Sequence, residues 1–124
     1  MIVPKILIVD DAFFMRNMIG NMIKEIGYTD IYFAVDGNDA VEKAKEFQPD
    51  IITLDISMPG MDGLEAVSKI IEVSPKSKVI MVTAVDNQFA IREALKGGAV
   101  DFLKKPVAKS ELEDRIKRHL ELDT

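Results

Sequence analysis

The sequence contains no cysteine, which excludes disulfide bridges, thiolate metal sites and cysteine nucleophiles. It is also poor in positive charge: 16 lysines and arginines stand against 21 aspartates and glutamates, for a formal net charge of −5 at pH 7. Such a chain lacks the electrostatic footprint of a protein that binds nucleic acid or an anionic membrane. No apolar run approaches the roughly 20 residues of a membrane span, and no signal peptide fits the amino terminus.

The 124 residues lie within the size range of one compact domain. No linker, repeat or low-complexity segment divides them, so we expect a single domain over residues 1–124. The chain ends soon after its last predicted helix, which leaves no room for a further domain. The sequence predicts a soluble, cytoplasmic monomer.

Short apolar runs alternate with segments of helical periodicity along the chain. The predicted strands are residues 6–9, 31–34, 51–54, 79–82 and 100–103. The first, third and fourth are apolar on both faces, as in parallel strands buried between helices. Amphipathic stripes after each strand predict five helices, of which the first ends at Gly27 and the second before Pro49. The stripe of the first helix comprises Met15, Met18, Ile19, Met22 and Ile26, and that of the fourth comprises Ile91, Ala94 and Leu95. This alternation predicts a doubly wound α/β domain with a parallel sheet.

Polar side chains follow four of the predicted strands, at the carboxyl end of the sheet, where open α/β sheets bind ligands. They are Asp10 and Asp11 after the first strand, Asp55 after the third, Thr83 after the fourth and Lys105 after the fifth. Each has a simple structural interpretation, because an aspartate or threonine can cap the next helix and a lysine beside a proline is usually solvated. We interpret Asp62 as such a cap. One helix needs only one cap, however, whereas three carboxylates converge on this end of the sheet.

Carboxylates that lie this close together repel one another. Two of them about 5 Å apart repel by about 3 kcal/mol at an effective dielectric constant of 20, so the cluster predicts a bound proton or cation. Oxygen ligands with room for water favour Mg²⁺ over Ca²⁺. A carboxylate at such a site can attack phosphorus to give an aspartyl phosphate, with Lys105 and the Thr83 hydroxyl as further donors to the phosphoryl oxygens. The residues therefore indicate a domain that accepts a phosphoryl group.

Five segments, in this order and spacing, resemble the receiver domains of two-component response regulators, specifically the stand-alone CheY-like type. They are residues 7–11 (LIVDD), 55–63 (DISMPGMDG), 82–84 (VTA), 98–99 (GA) and 105–106 (KP). The resemblance implies a flavodoxin-like five-stranded sheet in the order 2-1-3-4-5, an order for which this family is itself a standard example. It also implies a signalling switch that catalyses only its own phosphorylation and dephosphorylation.

The resemblance implies a metal-dependent phosphoacceptor site. Asp55 corresponds to the aspartate that receives the phosphoryl group from the phosphohistidine of a sensor histidine kinase or phosphotransfer domain. Asp10 and Asp11 correspond to the acidic pair that holds Mg²⁺, Asp11 directly and Asp10 mainly through water. Asp55 itself and the backbone carbonyl of Ser57 complete the implied metal ligands. Ser57 and Val85 occupy positions that tune the lifetime of the phosphoryl group.

A conformational switch is implied as well. Thr83 corresponds to the hydroxyl that turns toward the phosphoryl group, and Lys105 to the lysine that pairs with it. The peptide bond between Lys105 and Pro106 is usually cis in the family. Phe102 occupies the position of the switch aromatic, without the hydroxyl of a tyrosine. Burial of its ring would reshape the face formed by the fourth helix, fifth strand and fifth helix, through which a downstream protein binds.

That face is expected to carry a basic patch, which fits an acidic partner helix, although a plain solvated surface is the alternative. The patch comprises Arg92, Lys96, Lys104 and Lys109. The only histidine, His119, is interpreted as a solvated helix residue, because its position near the carboxyl terminus offers nothing like a phosphodonor site.

Other functions stay open, with chemotaxis as the candidate pathway of the main one. The domain could be a phosphate sink or shuttle, a receiver module separated from its output domain, or an interaction module that is never phosphorylated. A Mg²⁺-dependent phosphatase of the haloacid dehalogenase type needs a second acid two residues after the nucleophile, where Ser57 stands. A flavodoxin-like FMN carrier needs a phosphate loop after the first strand, where Asp10 and Asp11 would repel phosphate.

Overall fold

The computed structural model describes residues 3–58, 60–84 and 88–121, so that Val85 lies outside the described residues. The strands are β1 (Lys5–Val9), β2 (Asp30–Ala34), β3 (Ile51–Asp55), β4 (Lys78–Thr83) and β5 (Asp101–Lys104). The helices are α1 (Phe13–Ile26), α2 (Gly37–Phe47), α3 (Gly63–Val73), α4 (Gln88–Lys96) and α5 (Lys109–Glu121). In the described part of the chain, no helix combines the length and apolarity that crossing a membrane requires.

The five strands form one parallel sheet in the order β2-β1-β3-β4-β5, which confirms the predicted fold. Side chains of α2, α3 and α4 pack on one face of the sheet, and those of α1 and α5 on the other. The central strands β1, β3 and β4 are almost wholly buried, as their apolar sequences predict for strands covered on both faces. The sheet therefore exposes its two edges and its two ends.

Two of the helices at the carboxyl end of the sheet begin with an aspartate cap. Asp36 accepts a hydrogen bond from the Asp39 amide at the start of α2, at 2.8 Å. Asp62 accepts one from the Glu65 amide at the start of α3, at 2.9 Å, as predicted. By contrast, the N-cap of α1 is Ala12, and no side chain caps it. Asp10 and Asp11 are thus not N-cap residues of the helix that follows them.

The buried faces of the helices follow the predicted stripes with two differences. In α1 the buried side chains are Ile19 and Ile23, while the methionines of the predicted stripe are only partly buried. In α4 the predicted stripe included Leu95, which is exposed, and Ala90 is buried instead. Ala90 precedes Ala94 by one helical turn, so the buried stripe of α4 passes through positions 90, 91 and 94.

The start of α3 packs tightly against the end of β3. A Cβ atom at Gly63 would lie 2.5 Å from the carbonyl oxygen of Asp55, which no other residue type could tolerate without displacement of the backbone. The Gly63 amide donates to the carbonyl of Ile56 at 2.8 Å. The chain therefore leaves the sheet after Asp55 and is back at the same point at Gly63.

Candidate functional site

Three carboxylates meet at the carboxyl end of the sheet, as the sequence predicts. Asp10, Asp11 and Asp55 each contribute an oxygen, and these oxygens lie within 4.8 Å of one another. Asp10 and Asp55 are buried, with 1 % and 5 % of their surface exposed, whereas Asp11 is exposed. The cluster therefore has two desolvated carboxylates and one that faces solvent.

Lys105, which directly follows the edge strand β5, partly neutralises the charge of these carboxylates. The Lys105 ammonium lies 3.1 Å from Asp10 Oδ2 and 3.6 Å from Asp55 Oδ1. Its position follows from the chain path, because the Lys105 amide donates to the carbonyl of Thr83 at 2.8 Å. The next peptide bond, to Pro106, is cis, as the resemblance implies. Lys105 is thus a partner of the acidic cluster and not a solvated loop residue.

The negative charge of ionised Asp55 is only partly balanced by the groups around it. Burial raises the pKa of Asp55, and the neighbouring charges of Asp10 and Asp11 raise it further. Lys105 and the Ser57 amide, which donates to Asp55 Oδ1 at 3.3 Å, lower that pKa but do not cancel the rise. The ionised form of Asp55 is therefore held at a cost in free energy that a further cation would relieve.

The donor set fits a divalent ion of the hard type. The three carboxylates carry three negative charges and Lys105 supplies one positive charge, which leaves two charges unbalanced. All the ligand atoms are oxygens, and the exposed carboxylate of Asp11 leaves one side open to water. Mg²⁺ prefers carboxylate oxygens and keeps several of its waters. The residues present are therefore suited to Mg²⁺.

Backbone contacts around Asp10 hold the acidic loop in place, and one of them involves a residue that the sequence did not single out. Asp10 Oδ1 accepts a hydrogen bond from the Ala12 amide at 2.9 Å. Arg16 Nη1, from the first turn of α1, donates to the Asp10 carbonyl at 2.8 Å. A bond from a side chain to a main-chain carbonyl leaves no motif in the sequence, so Arg16 could not have been identified there.

The predicted switch residues lie on one face of the sheet. Thr83, at the end of β4, is buried with 1 % of its surface exposed. Phe102 pairs with Met81, two residues before Thr83 on β4, and alternate residues of a strand share a face. Phe102 is 38 % exposed. A buried hydroxyl and a half-exposed ring therefore occupy the same side of neighbouring strands.

Two expectations about the fifth helix are wrong. His119 is 7 % exposed, and its Nε2 lies 3.0 Å from Asp101 Oδ2, so it is a buried partner of β5 and not a solvated residue. Lys109 Nζ lies 3.1 Å from Glu25 Oε2 of α1, so Lys109 faces α1 and not the surface of α4 and β5. Its place at the very start of α5 brings it beside the neighbouring helix.

Comparison with known proteins agrees with this geometry. The family model described as "Response regulator receiver domain" matches residues 6–117. The chain belongs to this family. Its fold is thus that of a receiver domain, and the family is one of signalling switches.

Individual relatives are receiver domains of the CheY type. The chain is 42 % identical to the chemotaxis protein CheY of Thermotoga maritima over 114 residues, which cover 92 % of this chain and 95 % of that protein. It is 50 % identical to CheY of Listeria monocytogenes over 102 residues, covering 82 % and 86 %. A crystal structure of the CheX-CheY-BeF3-Mg²⁺ complex from Borrelia burgdorferi contains a chain that is 34 % identical, with a TM-score of 0.87 and coverage of 92 % and 87 %. This receiver domain is therefore CheY-like in sequence and fold.

Proposed function

We propose that this receiver domain accepts a phosphoryl group on Asp55 from the phosphohistidine of a sensor histidine kinase or phosphotransfer domain. The observation that carries the proposal is the clustering of Asp10, Asp11 and Asp55, with the Lys105 ammonium paired to Asp10 and Asp55. We assign the acceptor role to Asp55 because it opens the segment 55–63 that resembles the phosphoacceptor segment of the family, and its Oδ1 lies 3.6 Å from the Lys105 ammonium. Asp10 and Asp11 remain as ligands for a cation.

The transfer is a displacement at phosphorus. A carboxylate oxygen of Asp55 forms the new P–O bond while the P–N bond to the donor imidazole breaks; the imidazole leaves with the bonding electron pair and takes up a proton from solvent. Lys105 stays within reach of Asp55 and pairs with a phosphoryl oxygen. Bound Mg²⁺, held by Asp10, Asp11, Asp55 and the backbone carbonyl of Ser57, would supply neutralisation of the charge on the phosphoryl oxygens.

The signal then passes along the face shared by Thr83 and Phe102. We propose that the hydroxyl of Thr83 turns toward the phosphoryl group and that the ring of Phe102 fills the space it leaves. A modification can shift such an equilibrium only by its differential interaction with the two states. The Thr83 hydroxyl supplies that difference, because it has a new acceptor only in the phosphorylated domain.

The output face combines apolar and basic side chains. The exposed apolar members are Phe89, Leu95 and Phe102, and the exposed basic members are Arg92, Lys96 and Lys104. A helix with one apolar face and acidic flanks is the partner that fits this composition. We propose that a downstream protein of this kind binds here, in chemotaxis or as part of a phosphate sink or shuttle, and that the domain is monomeric and cytoplasmic.

Intact-mass measurement after incubation with acetyl phosphate and Mg²⁺ tests the proposal. The wild-type protein should gain about 80 Da, the mass of one phosphoryl group, and Asp55→Asn should gain nothing. Asp62→Asn is the matched control, because Asp62 caps α3 in the loop after Asp55 but lies outside the cluster. Removal of Mg²⁺ by a chelator should abolish the adduct. A wild type without the adduct, or an unchanged adduct on Asp55→Asn, would contradict the proposal.

A further inference from the structure

A second charged cluster lies at the other end of β5, away from the phosphoacceptor site. The Asp101 side chain, 16 % exposed, directs Oδ2 toward three cationic or protonatable groups of α5. His119 Nε2 lies at 3.0 Å, Arg115 Nε at 3.2 Å and Arg118 Nη1 at 3.8 Å. One carboxylate at the start of the edge strand thus fastens the carboxyl-terminal half of α5.

The other oxygen of the same carboxylate holds the backbone at the switch aromatic. Asp101 Oδ1 accepts a hydrogen bond from the Phe102 amide at 2.8 Å. Successive amides of a strand point to opposite sides, and the Lys105 amide bonds to Thr83 of β4, so the Phe102 amide faces the open edge of the sheet. Without Asp101 this donor would be exposed on an unpaired edge.

Charge supports the same arrangement. Burial raises the pKa of Asp101, but hydrogen bonds from His119 and from the Phe102 amide, together with Arg115, lower it by more, so that the pKa lies below its ordinary value. Asp101 is therefore ionised, and its contacts are charge-assisted, over the whole range in which the protein would function.

We infer that Asp101 is a positioning residue of the switch, whose two oxygens join the backbone of Phe102 to α5 so that β5 and α5 stay together while the aromatic ring moves. The inference rests on the proposed function, because Phe102 matters only if the ring responds to phosphorylation. Asp101 touches none of the residues of the acidic cluster, so its loss should leave phosphoryl transfer itself unchanged.

Three variants separate this role from a general effect of charge. Asp101→Ala removes both functions of the carboxylate. Asp101→Asn keeps an oxygen that can accept from the Phe102 amide but removes the charge that holds α5. The control is Asp114→Asn, because Asp114 Oδ2 lies 3.1 Å from both Arg115 Nη1 and Arg118 Nη2 and is exposed on α5 without contact to β5.

The measurement is amide hydrogen exchange at Phe102 by NMR, together with the resonances of its ring before and after addition of beryllofluoride and Mg²⁺. Asp101→Ala should raise the exchange rate of that amide by about tenfold or more, Asp101→Asn by less, and Asp114→Asn should match the wild type. On beryllofluoride addition, the ring of the wild type should move between two defined positions, while Asp101→Ala should broaden its signals before any addition.

Exchange rates at Phe102 that are the same in Asp101→Ala and Asp114→Asn would overturn the inference. If Asp101→Ala does not fold, as judged by circular dichroism, Asp101→Asn decides: its ring signals must differ from those of Asp114→Asn. The mass measurement with acetyl phosphate keeps the two proposals apart. Failure of the wild type to form the adduct contradicts the proposed function, whereas a normal adduct with unaltered Phe102 signals in both Asp101 variants contradicts only the role of Asp101.

Discussion

The outward backbone groups of the two edge strands, β2 and β5, have different partners. At β2, side chains of the next helix cover the outward backbone groups: Lys43 donates to the carbonyl of Phe33, and Asp39 accepts from the Val35 amide at 3.0 Å. Tyr32 of β2 stacks on Phe47 of α2, with ring centroids 4.2 Å apart. At β5, the outward amide of Phe102 donates to the neighbouring Asp101 and to no other group in the described part of the chain, and the ring of Phe102 is half-exposed.

This difference shows which edge is built to stay in place and which edge can present a surface. Each edge strand is contacted by the helix that follows it in the chain. At β2 that helix bonds to two outward backbone groups and adds a stacked ring. At β5 it reaches the outward backbone through the Asp101 carboxylate, which leaves an aromatic side chain in reach of both solvent and the face of Thr83. The edge with the movable side chain is thus the strand that leads into Lys105, the cationic partner of Asp10 and Asp55.

The largest effect is expected where β5 ends in two adjacent lysines. Lys105→Ala should reduce the rate of adduct formation with acetyl phosphate by about 100-fold, because it removes the one ammonium group between Asp10 and Asp55. Lys104→Ala, which removes an exposed lysine beside it, should change the rate by less than about threefold. Time-resolved mass measurement gives both rates. Equal effects of the two substitutions would mean that Lys105 has no special part in the transfer.

Aromatic substitutions at the two edges should differ in their effect on stability. Tyr32→Ala should lower the free energy of unfolding by more than Phe102→Ala does, because it removes a partly buried ring that stacks on Phe47. Phe102→Ala should lower it by about 1 kcal/mol or less, because the ring is 38 % exposed. Urea unfolding measures both values. A larger loss for Phe102→Ala would mean that the β5 edge, and not β2, is the rigid one.

The smallest predicted effect is a pH-dependent change in stability caused by Asp55, the last residue of the central strand β3. Since the folded protein raises the pKa of Asp55 above its ordinary value of 3.8, the native state binds this proton more tightly than the unfolded chain does. The cost of ionised Asp55 is therefore absent below that ordinary value, grows as the pH rises from it toward the raised pKa, and is complete above the raised pKa.

Asp55→Asn should accordingly raise the melting temperature at pH 7 in the absence of divalent ions, and raise it less at pH 4. Thermal unfolding followed by circular dichroism measures the difference, and Asp62→Asn again serves as the control. Mg²⁺ should stabilise the wild type more than Asp55→Asn, since binding to the native state adds to its stability. A gain for Asp55→Asn that is as large at pH 4 as at pH 7 would contradict the raised pKa.

Much of the fold could be predicted because the central strands are apolar on both faces. Ile51 and Ile52 face opposite helical layers, and their adjacency in the sequence already indicates a strand covered on both sides. The fifth strand was predicted one residue too early, at Val100, because an apolar residue marks burial but not the start of pairing. Its first paired residue is Asp101, which the predicted range already contained, and its last is Lys104, a charged residue that lies outside the apolar run.

The acidic site could be predicted for a topological reason. The carboxyl ends of parallel strands all lie at the same end of the sheet, which brings the residues that follow them, such as Asp10 and Asp55, to that end. The contacts of Asp101 could not, because they join residues of two elements through side-chain conformations that no spacing specifies. One signal was present, however. His119 follows Ile116 by three positions and so continues the buried stripe of α5, and a polar residue on a buried stripe needs a polar partner.

The tight approach of Gly63 to the carbonyl of Asp55 has a consequence for how the domain can vary. Gly63 packs against the carbonyl of Asp55, so the chain must return to the point at which it left the sheet. The number of residues between Asp55 and Gly63 is therefore constrained. Side chains within this segment can be exchanged to adjust the chemistry of the acceptor. A lengthened or shortened segment would instead push the first turn of α3 away from the sheet, so this loop should tolerate substitution far better than insertion or deletion.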